Sequence, residues 1–315
     1  MTLEQLRIFV AVAHVEHFTR ASQRLKLSQS AVSAAIAALE AEHGVMLFDR
    51  ARRHVELTPA GSVFLEDAEA ILARVNMAVR RLHDLSELRL GHLAIAASQT
   101  VAHYWLPSLL SSYHTRYPGI TIDIWDGNST QVENRVLRGQ AEFGIVEQKP
   151  HDKSLYTEIL TPDRLVAVVG RQHPWFGRKD VDWPELAQTA WIMREEGSGT
   201  RALFEAALNE RGIEPDALDI SLVLKTGEAV RNAVAASTAA AVVSTLVAAE
   251  AFEASTLHAL ETISITRQFV LLTLGGGRLT NAAAAMIDHL RAANPSTCVN
   301  NVAHNSSDQS TEPMR

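Results

Sequence analysis

The stretch FTRASQRLKLSQSAVSAAIAALE, Phe18 to Glu40, reads as two short helices joined by a tight turn. The first runs from Thr19 to Lys26, with Thr19 as its N-cap and Ala21 and Leu25 as apolar contacts. Leu27 and Ser28 turn the chain, and the Ser28 hydroxyl is suited to accept a bond from a free N–H at the start of the next helix. In that second helix Val32, Ile36 and Leu39 recur at i, i+4 and i+7 and form one buried stripe. Near its start the opposite face carries Gln29, Ser30 and Ser33. Two helices at this spacing make a helix-turn-helix, whose second helix enters the major groove and offers its first residues to base edges.

The flanking segments extend this unit. Thr2 to Val15 places Leu3, Leu6, Phe9, Val10 and Ala13 on one helical face that packs over the pair. Gly44 is suited to end the second helix, with Leu47 and Phe48 as core anchors. RARRHVEL, Arg50 to Leu57, reads as a charged hairpin, a wing. Its Arg50, Arg52 and Arg53 would meet phosphates or the minor groove, contacts that position a protein more than they read sequence. Thr58 and Pro59 begin a new helix, threonine as cap and proline in the first turn. From Ala60 to about Leu88 apolar residues recur at three- and four-residue steps with no internal proline. So long a helix exceeds what the small first domain buries, which points to pairing with the same helix of a second copy in a two-fold homodimer. The alternative is a connector packed on its own chain.

Charge is divided unevenly. The net charge is −7, but residues 1–58 hold seven Lys/Arg and six Asp/Glu, a net of +1, so the remainder carries −8. Arg20, Arg24 and Lys26 lie in the helix-turn-helix. A locally basic module on an acidic body is compatible with DNA binding, and the body would discourage non-specific association. At 315 residues, 47% hydrophobic and 21% charged, the chain suggests about two globular domains. Glu4, Arg7, Glu16 and Arg20 interrupt any leader-like apolar stretch, and no run approaches the roughly 18 apolar residues that span a membrane. The lone cysteine, Cys298, excludes a disulfide within the chain and a cysteine-based zinc site. Together these favour a cytoplasmic protein that does not engage a membrane.

From Gly91 the pattern alternates between strands and helices. Strands are expected at 91–98, 119–125, 142–146, 163–170, 190–193, 221–225, 240–244 and 268–274. Helices are expected at 101–117, 130–139, 200–211, 228–236 and 280–293. This is two α/β lobes, with 163–170 and 268–274 as the crossings and the last helix returning to the first lobe. The fold class is therefore multidomain, α and α/β. Residues 1–59 form a winged helix-turn-helix, 60–89 a linker and dimerisation helix and 90–293 the two-lobed domain. Residues 294–315 form a polar tail, expected to be disordered.

Ligands of open α/β sheets bind beyond the C-terminal ends of strands, where helix N-termini present free N–H groups. Ser98-Gln99-Thr100 follows the first strand. Glu195-Glu196-Gly197-Ser198-Gly199-Thr200-Arg201 joins another strand to a helix, and Thr226-Gly227-Glu228 does the same one strand later. Gly197 and Gly199 would let the backbone approach a ligand closely. Asn128 and Glu147 end neighbouring strands and would frame the pocket. Each hydroxyl taken alone reads more simply as a helix cap, whereas three converging between two lobes, with helix dipoles, favour a small anion or a carboxylate. No GxxxxGK[ST], HExxH or GxSxG occurs, and no acid, base and nucleophile set converges, so neither catalytic nor metal-binding residues nor a cofactor are expected. Rival classes are an extracytoplasmic solute-binding protein and a two-lobed enzyme, since fold does not dictate function.

LEQLRIFVAVA, FTRASQRLKLSQSAVSAAIAALE, GVMLFDR and VELTPAG, in that order, resemble the LysR-type transcriptional regulators, and the likeness continues to about residue 293. The resemblance implies a C-terminal domain of two lobes like a type 2 periplasmic binding protein. It implies a dimer or tetramer on an interrupted inverted repeat of double-stranded promoter DNA. A small-molecule effector between the lobes would change DNA bending or contact with RNA polymerase. It assigns Ser28, Gln29, Ser30 and Ser33 to bases or nearby phosphates. Ala34 and Ala35 stand where many relatives carry Arg and a polar residue. AASQTVAHYWLPSLL, GNS and EEGSGTR look like the subgroup concerned with inorganic sulfur, which would suggest sulfite or sulfate as the effector.

Overall fold

The computed structural model describes residues 1–49, 55–83, 91–274 and 279–293. The chain divides into two compact units, one built on Met1–His83 and one on the α/β elements from Gly91 onward.

In the first unit, α1 (Leu3–Val15) starts at a capping box. Thr2 Oγ1 accepts from Gln5 N–H (3.2 Å) and Gln5 Oε1 accepts from Thr2 N–H (2.8 Å), which satisfies two otherwise orphaned donors. α2 (Phe18–Leu25) begins earlier than the expected Thr19 cap: His17 is its N-cap, and its Nδ1 accepts from Arg20 N–H. Phe18 is thereby inside the first turn, where its ring meets Phe48 edge-on at 5.8 Å. α3 (Gln29–His43) is capped by Ser28 and ends at Gly44, whose φ of +66° suits glycine. Val32, Ile36 and Leu39 are fully buried against Leu6, Phe9 and Phe48, as the stripe predicts. Buried Glu40 accepts from the N–H groups of Leu47 (2.8 Å) and Phe48 (3.2 Å) and so folds the chain back after α3. β1 (Phe48–Asp49) pairs antiparallel with β2 (Glu56–Leu57), the base of the expected wing. Arg50, Arg52 and Arg53 lie outside the described residues. α4 (Pro59–His83) starts where Thr58 Oγ1 accepts from Gly61 N–H (2.9 Å). It leaves Val63, Ile71 and Val79 exposed.

The second unit opens with β3 (Gly91–Ser98), a π-helical turn at Val101–Trp105 and α5 (Leu106–Arg116). Next come β4 (Ile120–Gly127), α6 (Ser129–Leu137), β5 (Phe143–Val146) and the long β6 (Leu155–Gly170). β7 (Ala190–Arg194), α7 (Gly199–Asn209), β8 (Asp219–Leu224), α8 (Gly227–Ala235) and β9 (Ala240–Ser244) build the second lobe. α9 (Thr245–Glu253), long β10 (Leu257–Leu274) and α10 (Asn281–Ala293) follow. One eight-stranded sheet runs β4-β3-β5-β10-β6-β9-β7-β8. The β3, β4 and β5 ladders are parallel, as are those of β7 with β8 and β9. β6 and β10 pair antiparallel along nearly their whole length and carry the chain between lobes. α10 packs with α5 on the first lobe, as expected.

Both crossing strands are longer than their sequence signals. β6 continues through Pro162, which lacks an N–H, and the ladder slips by one residue beside it, between Phe269 and Val270. β10 begins at Leu257 because its polar first half, HALETISITR, pairs with β6 all the same. α9 had no counterpart among the expected helices; its alanines pack into the second lobe's core.

His173, in the turn after β6, is buried. Its Nδ1 accepts from Trp175 N–H (3.0 Å), so the ring proton sits on Nε2, 2.7 Å from Thr189 Oγ1. Burial lowers its pKa below the usual 6.5. Below about pH 6.5 the unfolded chain takes up a proton that the folded site refuses. Chemical denaturation at stepped pH should therefore show stability falling as pH drops from about 6.5. His173→Gln should flatten that slope.

Candidate nucleic-acid interface and interlobe cleft

At the start of α3, Ser28 Oγ accepts from Ala31 N–H (3.1 Å) and lies 2.9 Å from Ser30 Oγ, so Ser28 serves first as the cap. Gln29 and Ser30 are exposed and Ser33 is half-buried. Arg20, Arg24 and Lys26 on and just after α2 are exposed too. The αL conformation of Lys26 (φ +55°) turns the chain sharply into α3, and this turn sets α3 across α2. The result is an outward helix start with polar side chains beside exposed cations, an arrangement suited to base edges and phosphates.

In the second unit Gln99, Asn128, Glu147 and Thr200, among the expected effector residues, make contacts at the junction of the lobes. Ser98, at the end of β3, is 2% exposed, and its hydroxyl has no partner. Gln99 Oε1 accepts from Arg194 Nη2 of the second lobe (2.5 Å), and Arg194 is also paired with Glu195 (2.8 Å). Thr100 and Ser198 are buried and cap nothing with their hydroxyls. Thr226 is a true cap, accepting from Ala229 N–H (3.1 Å). Asn128 caps α6 by accepting from Gln131 N–H (3.0 Å) and donates across to Glu196 O (3.2 Å). Glu147 accepts from Ser129 Oγ (3.0 Å).

At Gly197 and Gly199 neighbouring side chains crowd the place of the missing Cβ. A Cβ at Gly199 would lie 2.8 Å from Ser129 Oγ and 3.3 Å from Glu147 Oε2. One at Gly197, whose φ is +81°, would meet the side chains of Asn128 and Thr130. The two glycines let the start of α6 press against the 195–199 loop, forming a seam between lobes.

At the centre is Arg267 on β10, which sequence reasoning missed. Its side chain is fully buried. Nε donates to Asp163 Oδ2 (2.6 Å) and Nη1 to Thr200 Oγ1 (3.0 Å); Glu147 Oε1 is 3.7 Å away. Asp163 is held in turn by Ser244 Oγ (2.9 Å). Nη2 has no partner. At the edge of the junction His103 bridges Glu228 (3.1 Å) of the second lobe and Asp126 (3.5 Å) of the first. Burial, followed by the nearby Glu228 carboxylate, pushes the Tyr104 phenol up to about 12.

Residues 3–62 match the bacterial regulatory helix-turn-helix protein, lysR family, and residues 86–295 match the LysR substrate binding domain. The chain belongs to the LysR family of transcriptional regulators. As such it is a DNA-binding regulator with an effector-binding domain. It is 32% identical over 74% of its length, and 77% of the relative's, to the HTH-type transcriptional regulator CysL of Bacillus subtilis strain 168. The structure of CbnR complexed with its target DNA shares the fold, with a TM-score of 0.68 at 24% identity, over 93% of this chain and 99% of that one. The Synechocystis PCC6803 CcmR regulatory domain in complex with 2-PG aligns at a TM-score of 0.60 and 26% identity, over 65% of this chain and 98% of that domain. Among the described residues of this LysR-type regulator, no helix is long and apolar enough to cross a membrane.

The seam makes a direct prediction. Gly199→Ala inserts a methyl where 2.8 Å is available, so overpacking should cost about 1–3 kcal/mol. Thermal unfolding of the full chain reads this as a lowered midpoint; an unchanged midpoint would mean the seam yields freely.

Proposed function

We propose that this regulator binds an inverted repeat in promoter DNA as a homodimer or homotetramer, under control of a small anionic effector held between the lobes. The observation that carries the effector reading is a pair of buried donors facing no acceptor at the lobe junction. Buried Ser98 Oγ and Arg267 Nη2 have no partner, and the buried Thr100 and Ser198 hydroxyls cap nothing. Buried donors are normally paired, because an orphan costs about 1–3 kcal/mol. Two together at the lobe junction suit a ligand that brings oxygen acceptors: sulfite, sulfate or a small carboxylate. The complex of the CcmR regulatory domain with 2-PG supports a small ligand in this domain type.

Oligomerisation is supported by apolar surface on both units. α4 exposes Val63 and Val79, and the sheet ends in open edges, β8 with Leu222 and Val223 half-exposed and β4 with Ile124. Open apolar edges invite pairing with another chain. The regulator would act in the cytoplasm through promoter DNA and RNA polymerase, without catalysing a reaction.

The deciding experiment is binding of the full chain to its own upstream intergenic region against random DNA. Salt is held fixed, because phosphate contacts make affinity strongly salt-dependent. The binding is repeated with sulfite, sulfate and a panel of small carboxylates. Preference for the upstream region that shifts with one of them is expected; absence of any preference counts against the DNA reading. Gln29→Ala should weaken specific binding by about 1–3 kcal/mol, the worth of a two-bond contact to adenine, while thermal stability stays the same. Equal loss on random DNA would remove its base-reading role. Thr100→Val should blunt the shift caused by the active effector at least tenfold, and an unaltered dose response would place the site elsewhere.

A further inference from the structure

We propose that Arg267 is the group that recognises the effector, and that it selects a singly charged acceptor, a monocarboxylate in chemistry, over a dianion such as sulfate. The proposal rests on the effector reading above and deepens it. Arg267 lies opposite Asp163 where β10 and β6 cross between lobes. Asp163 fixes Nε at 2.6 Å and Thr200, at the start of α7, fixes Nη1 at 3.0 Å. Asp163 and Thr200 are themselves buried, so the guanidinium is held rigidly with one end left over. That end, Nη2, is buried without an acceptor. Ser98 Oγ is in the same condition at the C-terminal end of β3, on the lobe whose β5 leads into Glu147. Two orphan donors, one on β3 and one on β10 of the same sheet, are each left for a ligand oxygen to satisfy.

Charge then sets the class of ligand. One buried cation, Arg267, stands against two buried carboxylates, Asp163 and Glu147, a formal −1 before any ligand enters. Arg194 adds nothing, because Glu195 pairs with it. The start of α7 contributes only a partial positive charge. A monoanion is tolerable there, whereas a dianion meets two fixed carboxylates in a poorly screened interior.

The test is calorimetric titration of the full-length chain at constant ionic strength with acetate, glycolate and pyruvate, and separately with sulfate. At least one monocarboxylate is expected to bind saturably, and sulfate at least tenfold more weakly. Arg267→Lys keeps the charge but loses the fork, and should weaken the monocarboxylate at least tenfold. Glu147→Gln keeps an acceptor for Ser129 and removes one negative charge. It should raise sulfate affinity relative to monocarboxylate at least tenfold, and it carries the test should Arg267→Lys fail to fold. Sulfate binding as tightly as the monocarboxylates, or a ratio unmoved by Glu147→Gln, overturns the charge selection and leaves the effector reading standing. No saturable binding by any of these anions, with DNA binding also indifferent to them, overturns both.

Discussion

The antiparallel ladder between β6 and β10 is the constraint on which the α/β domain depends. It is the only feature among the described strands that belongs to both lobes. It places Asp163 beside Arg267, and their 2.6 Å ion pair closes in a region where neither side chain meets water. A buried charge is tolerated only when paired and hydrogen-bonded. Asp163 meets that requirement through Ser244, and Arg267 through Thr200 and Asp163. The remaining orphan nitrogen is therefore a departure from the rule in an otherwise satisfied cluster.

Around this centre the lobes are joined by contacts of two kinds. The seam of the 195–199 loop on the start of α6 is steric and depends on missing side chains at Gly197 and Gly199. The links of Gln99 with Arg194, Asn128 with Glu196 and His103 with Glu228 are polar. A ligand that engages Ser98, Thr100 and Arg267 would sit among these ties and change which lobe arrangement they favour. An effector acts only through such differential contact between two states.

The DNA-binding unit follows simpler physics. Each of its helices starts at a side-chain cap, from Thr2, His17, Ser28 and Thr58. α1, α2 and α3 end in residues of positive φ, at Glu16, Lys26 and Gly44. These local devices define helix lengths and the turn before α3, while the shared core of Leu6, Phe9, Val32, Ile36, Leu39 and Phe48 fixes their packing. The outward start of α3 is left to Gln29 and Ser30, which have no structural duty beyond the Ser28–Ser30 contact.

Much of this was legible in the chain itself. Helix periodicity, caps and the alternation after Gly91 are local signals, so Val32, Ile36 and Leu39, the Ser28 and Thr58 caps and both crossings could be read directly. His17 gives no cap signal of its own, because Thr19 offers the commoner chemistry nearby. The first half of β10 gives no strand signal, because its polar residues hide its pairing. Tertiary structure alone decided the centre of the lobe junction. Arg267 meets Asp163 across 104 residues and Thr200 across 67, distances over which no periodicity speaks. It alone decided, too, that Ser129 and Glu147 crowd the space beside Gly199, because a glycine reveals that space is needed but not what fills it.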